Sequence, residues 1–355
     1  MLIIVVVLVG AGFYWFFVEN KETDEMTEAF IQRWLTNDNG TLATYILDGD
    51  VEDEDEVKGR EALSETLGLW MTYALKKQDK ALFEKSYQLL RRYFLDDSGF
   101  VFWKLKESGE TDVSANALID DIRIAGALYK AGESWNKRKY IETASRITAY
   151  VAQNNENQEI LTDFYEREDN YASEFITLSY IDGQTLQYLG SKGTLAPQVS
   201  ESTIEVLKQA PMKQGFYPKT YNVEENHYVY DEKINMVDQA LVALHQSEIG
   251  IGSKDFLQFI RSEMEQRGLV HGIYDRKTKQ PLVEYESPAI YALLIMYCLE
   301  IGDVSLAEDI RTQMKQFLVT RRYSKYFGGY SIYDHDTHIF DNVLPLLAEQ
   351  QMEKQ

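Results

Sequence analysis

Residues 59–71 read G-R-E-A-L-S-E-T-L-G-L-W-M, and the phase of their apolar positions decides what kind of chain this is. Leu63, Leu67, Trp70, Met71 and Ala74 recur at three- and four-residue intervals, the spacing of a buried stripe along an α-helix. Glu61 and Glu65 stand four apart on a face close to that stripe, so Glu65 falls where charged residues give way to apolar ones. An acid in the first turn of a helix is ordinarily a partner for the positive end of the helix dipole. The same acid, held partly out of water, keeps its proton and can deliver it to a substrate. Which of the two Glu65 is depends on whether acids recur at equivalent points further along.

Working outward, helical periodicity covers approximately 24–36, 61–77, 79–95, 114–132, 136–154, 171–190, 198–209, 232–248, 253–267, 284–301, 303–319 and 337–350. Between alternate helices lie Gly99–Lys104, Gly215–Pro218, Gly268–Tyr274 and Gly328–Tyr333, each a glycine followed by β-prone residues. They predict turns or short hairpins. The unit is helix, hairpin, helix, short turn, repeating about every 50–60 residues as helical arrays do. Six such pairs close into a double ring with the long loops gathered at one end. An open stack of helix pairs is the rival architecture. In the ring, the second helix of each pair starts at the loop-rich end, and those starts carry Glu65, Asp120–Asp121, Asp238 and Asp341 in apolar company. Capping explains any one of them. Their recurrence points instead to carboxylates converging over a central groove. Glycosidic cleavage needs that arrangement: one acid protonates the leaving oxygen, and a second activates water or attacks directly.

Composition narrows the partners. The 24 Tyr and 5 Trp among 355 residues exceed what a core needs, and flat aromatic faces with polar rims suit sugar rings or peptides. A net charge of -21 argues against nucleic acid and favours a neutral or cationic ligand. Residues 2–18, LIIVVVLVGAGFYWFFV, carry no charge. As a helix they would span about 26 Å, enough for a thin bilayer core, with aromatics where an interfacial belt belongs. They predict an uncleaved transmembrane anchor, with a cleaved signal peptide and a secreted product as the alternative. The sole cysteine, Cys298, sits in an apolar run and reads as a buried thiol. No H-E-x-x-H, nucleophile elbow, Walker loop or G-x-G-x-x-G is present, and no cofactor or metal is expected. Asp334, His335, Asp336 and His338 could hold a metal, but a solvated loop is the commoner reading. The acidic run Asp48–Glu56 lacks EF-hand spacing and also reads as a loop.

Several of these stretches together resemble glycosyl hydrolases of family 8. Ser64-Glu65-Thr66-Leu67-Gly68-Leu69-Trp70-Met71 is similar to that family's S-E-G-x-G-Y-G-M signature, in which the Glu is the general acid. Phe102-Trp103-Lys104 resembles its aromatic-tryptophan element, where the Trp stacks on sugar. Asp120-Asp121-Ile122-Arg123-Ile124-Ala125 looks like the later part of its T-D-A-D-L-D-I-A block, with Asp121 on the second Asp and Ile119 on the first. Asn170-Tyr171-Ala172-Ser173 is similar to its N-P-S-Y, and Val237-Asp238-Gln239-Ala240-Leu241 to the segment carrying the catalytic base.

The resemblance implies an all-α (α/α)6 barrel of six helix pairs with short β-hairpins at the loop-rich end, preceded by one N-terminal transmembrane helix. The division is 1–19 as anchor or signal segment and 20–355 as hydrolase-like domain. It implies an extracellular, endo-acting, inverting and metal-independent glycoside hydrolase, held at the cell membrane and cutting a β-linked bacterial exopolysaccharide. Glu65 is then the general acid, Asp238 the general base and Asp121 the sugar-positioning acid, with Asp120 as its alternative. Trp103, Tyr171 and Tyr230 are the expected sugar-binding aromatics. A monomer is expected, with exopolysaccharide synthesis machinery as a candidate partner. The contrasting expectation is a non-catalytic glycan-binding or synthase-partner protein on the same barrel.

Overall fold

A computed structural model describes residues 25–49 and 57–354. The apolar segment 2–18 and most of the acidic run Asp48–Glu56 lie outside the described residues. No described helix is long and apolar enough to cross a membrane.

Twelve helices are found among the described residues: α1 over 25–34, α2 Ser64–Lys76, α3 Lys80–Leu89, α4 Leu118–Trp135, α5 Arg138–Asn154 and α6 Gly183–Ser191, then α7 Pro197–Lys208, α8 Met236–Glu248, α9 Lys254–Arg267, α10 Pro288–Glu300, α11 Val304–Met314 and α12 Phe340–Met352. The even-numbered helices form a closed ring. α2 packs on α4, α4 on α6, α6 on α8, α8 on α10, α10 on α12, and α12 returns to α2. Closure excludes the open stack. The odd-numbered helices lie outside.

Sequence explains the sorting. In α10 every residue from Pro288 to Leu299 is buried, as a helix surrounded by neighbours requires. In α9 only Phe256, Phe259, Ile260 and Glu263 are buried, one face at intervals of three and four. Several starts are fixed by side-chain caps. Asp79 accepts from the N–H groups of Ala81 and Leu82 at the start of α3, and Ser253 from that of Phe256 at the start of α9.

Tight turns form as expected at Gly99 and Gly215, closed by the antiparallel bridges Leu95–Val101 and Lys213–Phe216, but other strand pairings reach further than a hairpin. Lys104–Leu105 pairs with Ala62–Leu63, about forty residues earlier, and Lys233–Asn235 pairs with Ile273–Asp275. These pairings tie the loop before one ring helix to a loop elsewhere at the same end. Phe175–Thr177, Thr220–Asn222 and His227–Val229 form a three-stranded sheet. The helix expected over 171–190 is therefore shorter. The β-prone Phe175-Ile176-Thr177 finds a partner strand, a 3-10 turn covers Leu178–Tyr180, and Asp182 caps α6 through the N–H of Thr185.

Candidate functional site

The start of α2 is the centre of the mouth. Its N-cap position is Leu63, which has no side-chain acceptor, so the first N–H groups of the helix need another partner. Asp120, in the first turn of α4, supplies it. Its Oδ2 takes the Ser64 hydroxyl at 2.5 Å, and the carboxylate also takes the backbone N–H of Glu65. Arg123 Nη1 lies 3.4 Å from the other oxygen. Asp121 turns the opposite way. It accepts from Asn116 Nδ2 at 2.7 Å, Asn116 continues to Asn155, and Asp121 Oδ1 is buried without a hydrogen-bond partner among the described residues. Successive residues on a helix point about 100° apart, so only one of the two acids can face Glu65. That residue is Asp120.

Charge in this mouth is expensive. Burial pushes the Glu65 carboxyl up to about 8, the charges of Asp120 and Asp238 push the same way, and only Arg123 opposes. Burial likewise raises Asp120 to about 6 against the pull of Arg123 and Ser64. Asp238, in the first turn of α8, is raised by burial and steadied by the Ser179 hydroxyl at 3.1 Å. A carboxyl raised to about 8 beside one raised only to about 6 is the kind of separation acid–base chemistry requires.

Asp341, the fourth acid at a ring-helix start, has a different neighbourhood. Its Oδ1 takes the Ser287 hydroxyl at 2.5 Å and the Ala289 N–H at 3.0 Å, tying α12 to the start of α10. The same tie therefore appears three times, as Ser64–Asp120, Ser179–Asp238 and Ser287–Asp341, each joining adjacent ring helices or the turn leading into one. Recurrence of acids around the ring, read from sequence as convergent chemistry, has a structural cause as well.

Beside the mouth runs a cleft of about 850 Å³, lined in part by Trp103, Asn116, Asp163, Phe164, Thr177 and Tyr180. Strand pairing puts Trp103 there, since its carbonyl accepts the N–H of Ser64 at 2.9 Å. The buried Lys104 ammonium stands 5.2 Å from the Trp103 ring centre and 3.8 Å from Glu61. Tyr171 is exposed, and its ring stands 6.1 Å from that of Phe164, which lines the cleft. Tyr230 does not line this cleft. Lys213 lies 3.7 Å from its ring centre, and its hydroxyl donates to Pro211 O.

Two residues of the site escaped sequence reasoning. Asp163 accepts from Thr177 N at 2.6 Å and Thr177 Oγ1 at 2.7 Å, and burial raises it to about 6. Tyr180 is raised by burial and by the charges of Glu65, Asp163, Asp120 and Asp238. The available signal was its position just before a ring helix.

The four residues Asp334, His335, Asp336 and His338 do not converge. Asp336 accepts from Ile46 N at 2.8 Å, while His338 packs between Tyr45 and Phe340 and is lowered by burial to about 4. Elsewhere, ligating atoms of Asp182, His245 and Glu248 lie within 4.8 Å of one another. Burial works against a charged His245. The hydrogen bond of its Nδ1 with Glu248 at 3.1 Å and the charge of Asp182 outweigh it and raise the imidazole. The cluster is a buried histidine held between two carboxylates, with the Arg123 cation also in range.

The sequence profile of glycosyl hydrolases family 8 matches residues 11–229, a span that contains Glu65 and Asp120 and stops short of Asp238. A protein of Bacillus subtilis (strain 168), YdaJ, whose name proposes a lipoprotein, is 36% identical over 334 residues, 94% of this chain and 88% of its own. Among solved structures, a novel alpha-amylase from Clostridium perfringens is similar with a TM-score of 0.83 at 24% identity, over 93% of this chain and 97% of its own. PssZ from Listeria monocytogenes is similar with a TM-score of 0.74 at 22% identity, over 92% and 94%.

Proposed function

We infer the function from one premise: this chain belongs to the glycosyl hydrolases of family 8 and is a glycoside hydrolase. Within that frame we propose that Glu65 is the general acid, Asp238 the general base and Asp120, in place of Asp121, the acid that orients the sugar. The observation that carries the proposal is the crowding of acids around Glu65. A carboxyl held up to about 8 beside Asp120 and Asp238 enters the reaction protonated at neutral pH. It gives that proton to the leaving glycosidic oxygen as the bond to the anomeric carbon breaks. Asp238 takes a proton from the water that attacks the opposite face, and the Tyr180 hydroxyl, which keeps its own proton, donates to that water or to the sugar. The result is inversion without a glycosyl-enzyme. Trp103 and Phe164 give the cleft flat faces for sugar rings.

The substrate we propose is a β-linked exopolysaccharide, cut internally by residues 20–355 acting outside the cell, with residues 2–18 as the membrane anchor. The relationship to a proposed lipoprotein supports the membrane-held part of this reading. The test is a panel of β-1,4-glucan, chitosan, acetylated glucosamine polymer, starch and the host's own exopolysaccharide, with the first-formed product followed by proton NMR. Hydrolysis of the exopolysaccharide with inverted configuration is expected, and Glu65→Gln should slow it by roughly 10²-fold or more. A first product of retained configuration overturns the mechanism, and near-normal turnover of Glu65→Gln overturns the assignment.

A further inference from the structure

Arg123 stands where the family's T-D-A-D-L-D-I-A block carries its third Asp, so this chain has a cation in place of a carboxylate one turn below the mouth. Its surroundings are built for it. A Cβ on Gly68, one turn after Glu65, would lie 3.2 Å from Arg123 Cδ and 3.5 Å from its Cγ, so the arginine stem rests directly on the α2 backbone. The side chain is only 12% exposed, and a guanidinium so enclosed needs partners. One is Asp120 at 3.4 Å, whose second oxygen holds the Ser64 hydroxyl.

We propose that Arg123 is a positioning residue: seated in the notch that Gly68 leaves, it pins Asp120 to the start of α2 and so fixes the carboxyl of Glu65. The inference rests on the reading of Glu65 as proton donor. The groups that face Arg123 come from every neighbouring ring helix. They are Glu65 on α2, Asp120 on α4, Asp182 at the start of α6 and His245 in the last turn of α8. Asp238 on α8 and Tyr180 act on Glu65 and its neighbours from the far side of the mouth. The Arg123 charge opposes the upward push of burial on both Asp120 and Glu65. Removing it leaves both carboxyls protonated to higher pH.

The test compares Arg123→Met with Arg123→Lys, using the panel polysaccharide that the wild type hydrolyses fastest. In Arg123→Met the alkaline limb of the kcat/KM profile, which reports Glu65, should move to higher pH by about one unit or more, the size of an opposite-charge effect at this range, while the acid limb, set by Asp238, stays. Arg123→Lys keeps the charge and should hold the alkaline limb near its wild-type position. A second measurement needs no substrate. Carbodiimide activates only a protonated carboxyl, so the midpoint of Glu65 labelling, followed by mass spectrometry, should rise in Arg123→Met and not in Arg123→Lys. An unmoved alkaline limb and an unmoved midpoint in Arg123→Met overturn the inference. Glu65→Gln, assayed beside them, separates the two claims: if it turns over normally the proton-donor reading fails, while the labelling midpoint still decides on Arg123. Arg123→Gln replaces the Met variant if that chain does not fold.

Discussion

Glu65→Gln should make the protein more stable as the solution becomes more alkaline, while removing its activity. The folded chain holds the Glu65 proton up to about pH 8, whereas an unfolded chain releases it near 4.5. Folding therefore takes up a proton between those values. The wild type keeps its full stability below 4.5, loses some as pH rises through the window, and has lost all of this contribution above 8. A displacement from 4.5 to about 8 at about 1.4 kcal/mol per pH unit amounts to about 5 kcal/mol. Glu65 retains some accessible surface at the mouth, so solvent screening reduces this to roughly 2–3 kcal/mol. Glutamine, being uncharged throughout, does not incur it. For 355 residues the unfolding entropy is about 0.7 kcal/mol/K, so the variant should melt about 3–4 °C above the wild type at pH 9 and level with it at pH 4.5. Scanning calorimetry at the two pH values reads the difference directly. A variant no more stable than the wild type at pH 9 would show that the fold does not hold the Glu65 carboxyl out of water, and the acid assignment would lose its physical basis.

Trp103→Ala should weaken saccharide binding several-fold with an unchanged far-UV spectrum, because the ring lines the cleft while the backbone carbonyl makes the structural contact to Ser64. Unaltered affinity in a titration with oligosaccharide would refute that role. Arg276→Met should cost about 3 kcal/mol or more, since the buried guanidinium donates to the carbonyls of Asp231, Lys213, Phe216 and Tyr217, which methionine leaves unsatisfied. Urea unfolding checks it, and a loss below about 1 kcal/mol would mean that water replaces the arginine.

What sequence reveals here follows from what it encodes locally. All twelve helices were legible because apolar residues set their phase, although the one expected over 171–190 begins only at Gly183. Glu65 was visible because it is one acid at the edge of such a stripe. Asp120 and Asp121 could not be separated, since adjacent residues differ only in helix phase and both are buried. Asp163 and Tyr180 lie in segments fixed by distant partners. Leu118 N bonds Asp163 O, and the strand before Tyr180 pairs with Thr220–Asn222, more than forty residues on. No local pattern announces such pairings. Tyr230, expected among the sugar-binding aromatics, is placed by long-range packing under Lys213.

The three serine–aspartate ties also decide how substitutions at this mouth should be interpreted. Replacing Asp120 or Asp238 by alanine deletes a strut between ring helices together with a charge, and the two losses arrive in one number. Asp341 is bound by the same kind of tie to Ser287, but lies outside the set of acids whose charges reach Glu65. It is an internal standard supplied by the fold. Whatever activity its alanine variant loses measures the strut alone, and the excess lost at Asp120 or Asp238 belongs to the chemistry. Asparagine, which still accepts from the serine hydroxyl, makes the same separation from the other direction.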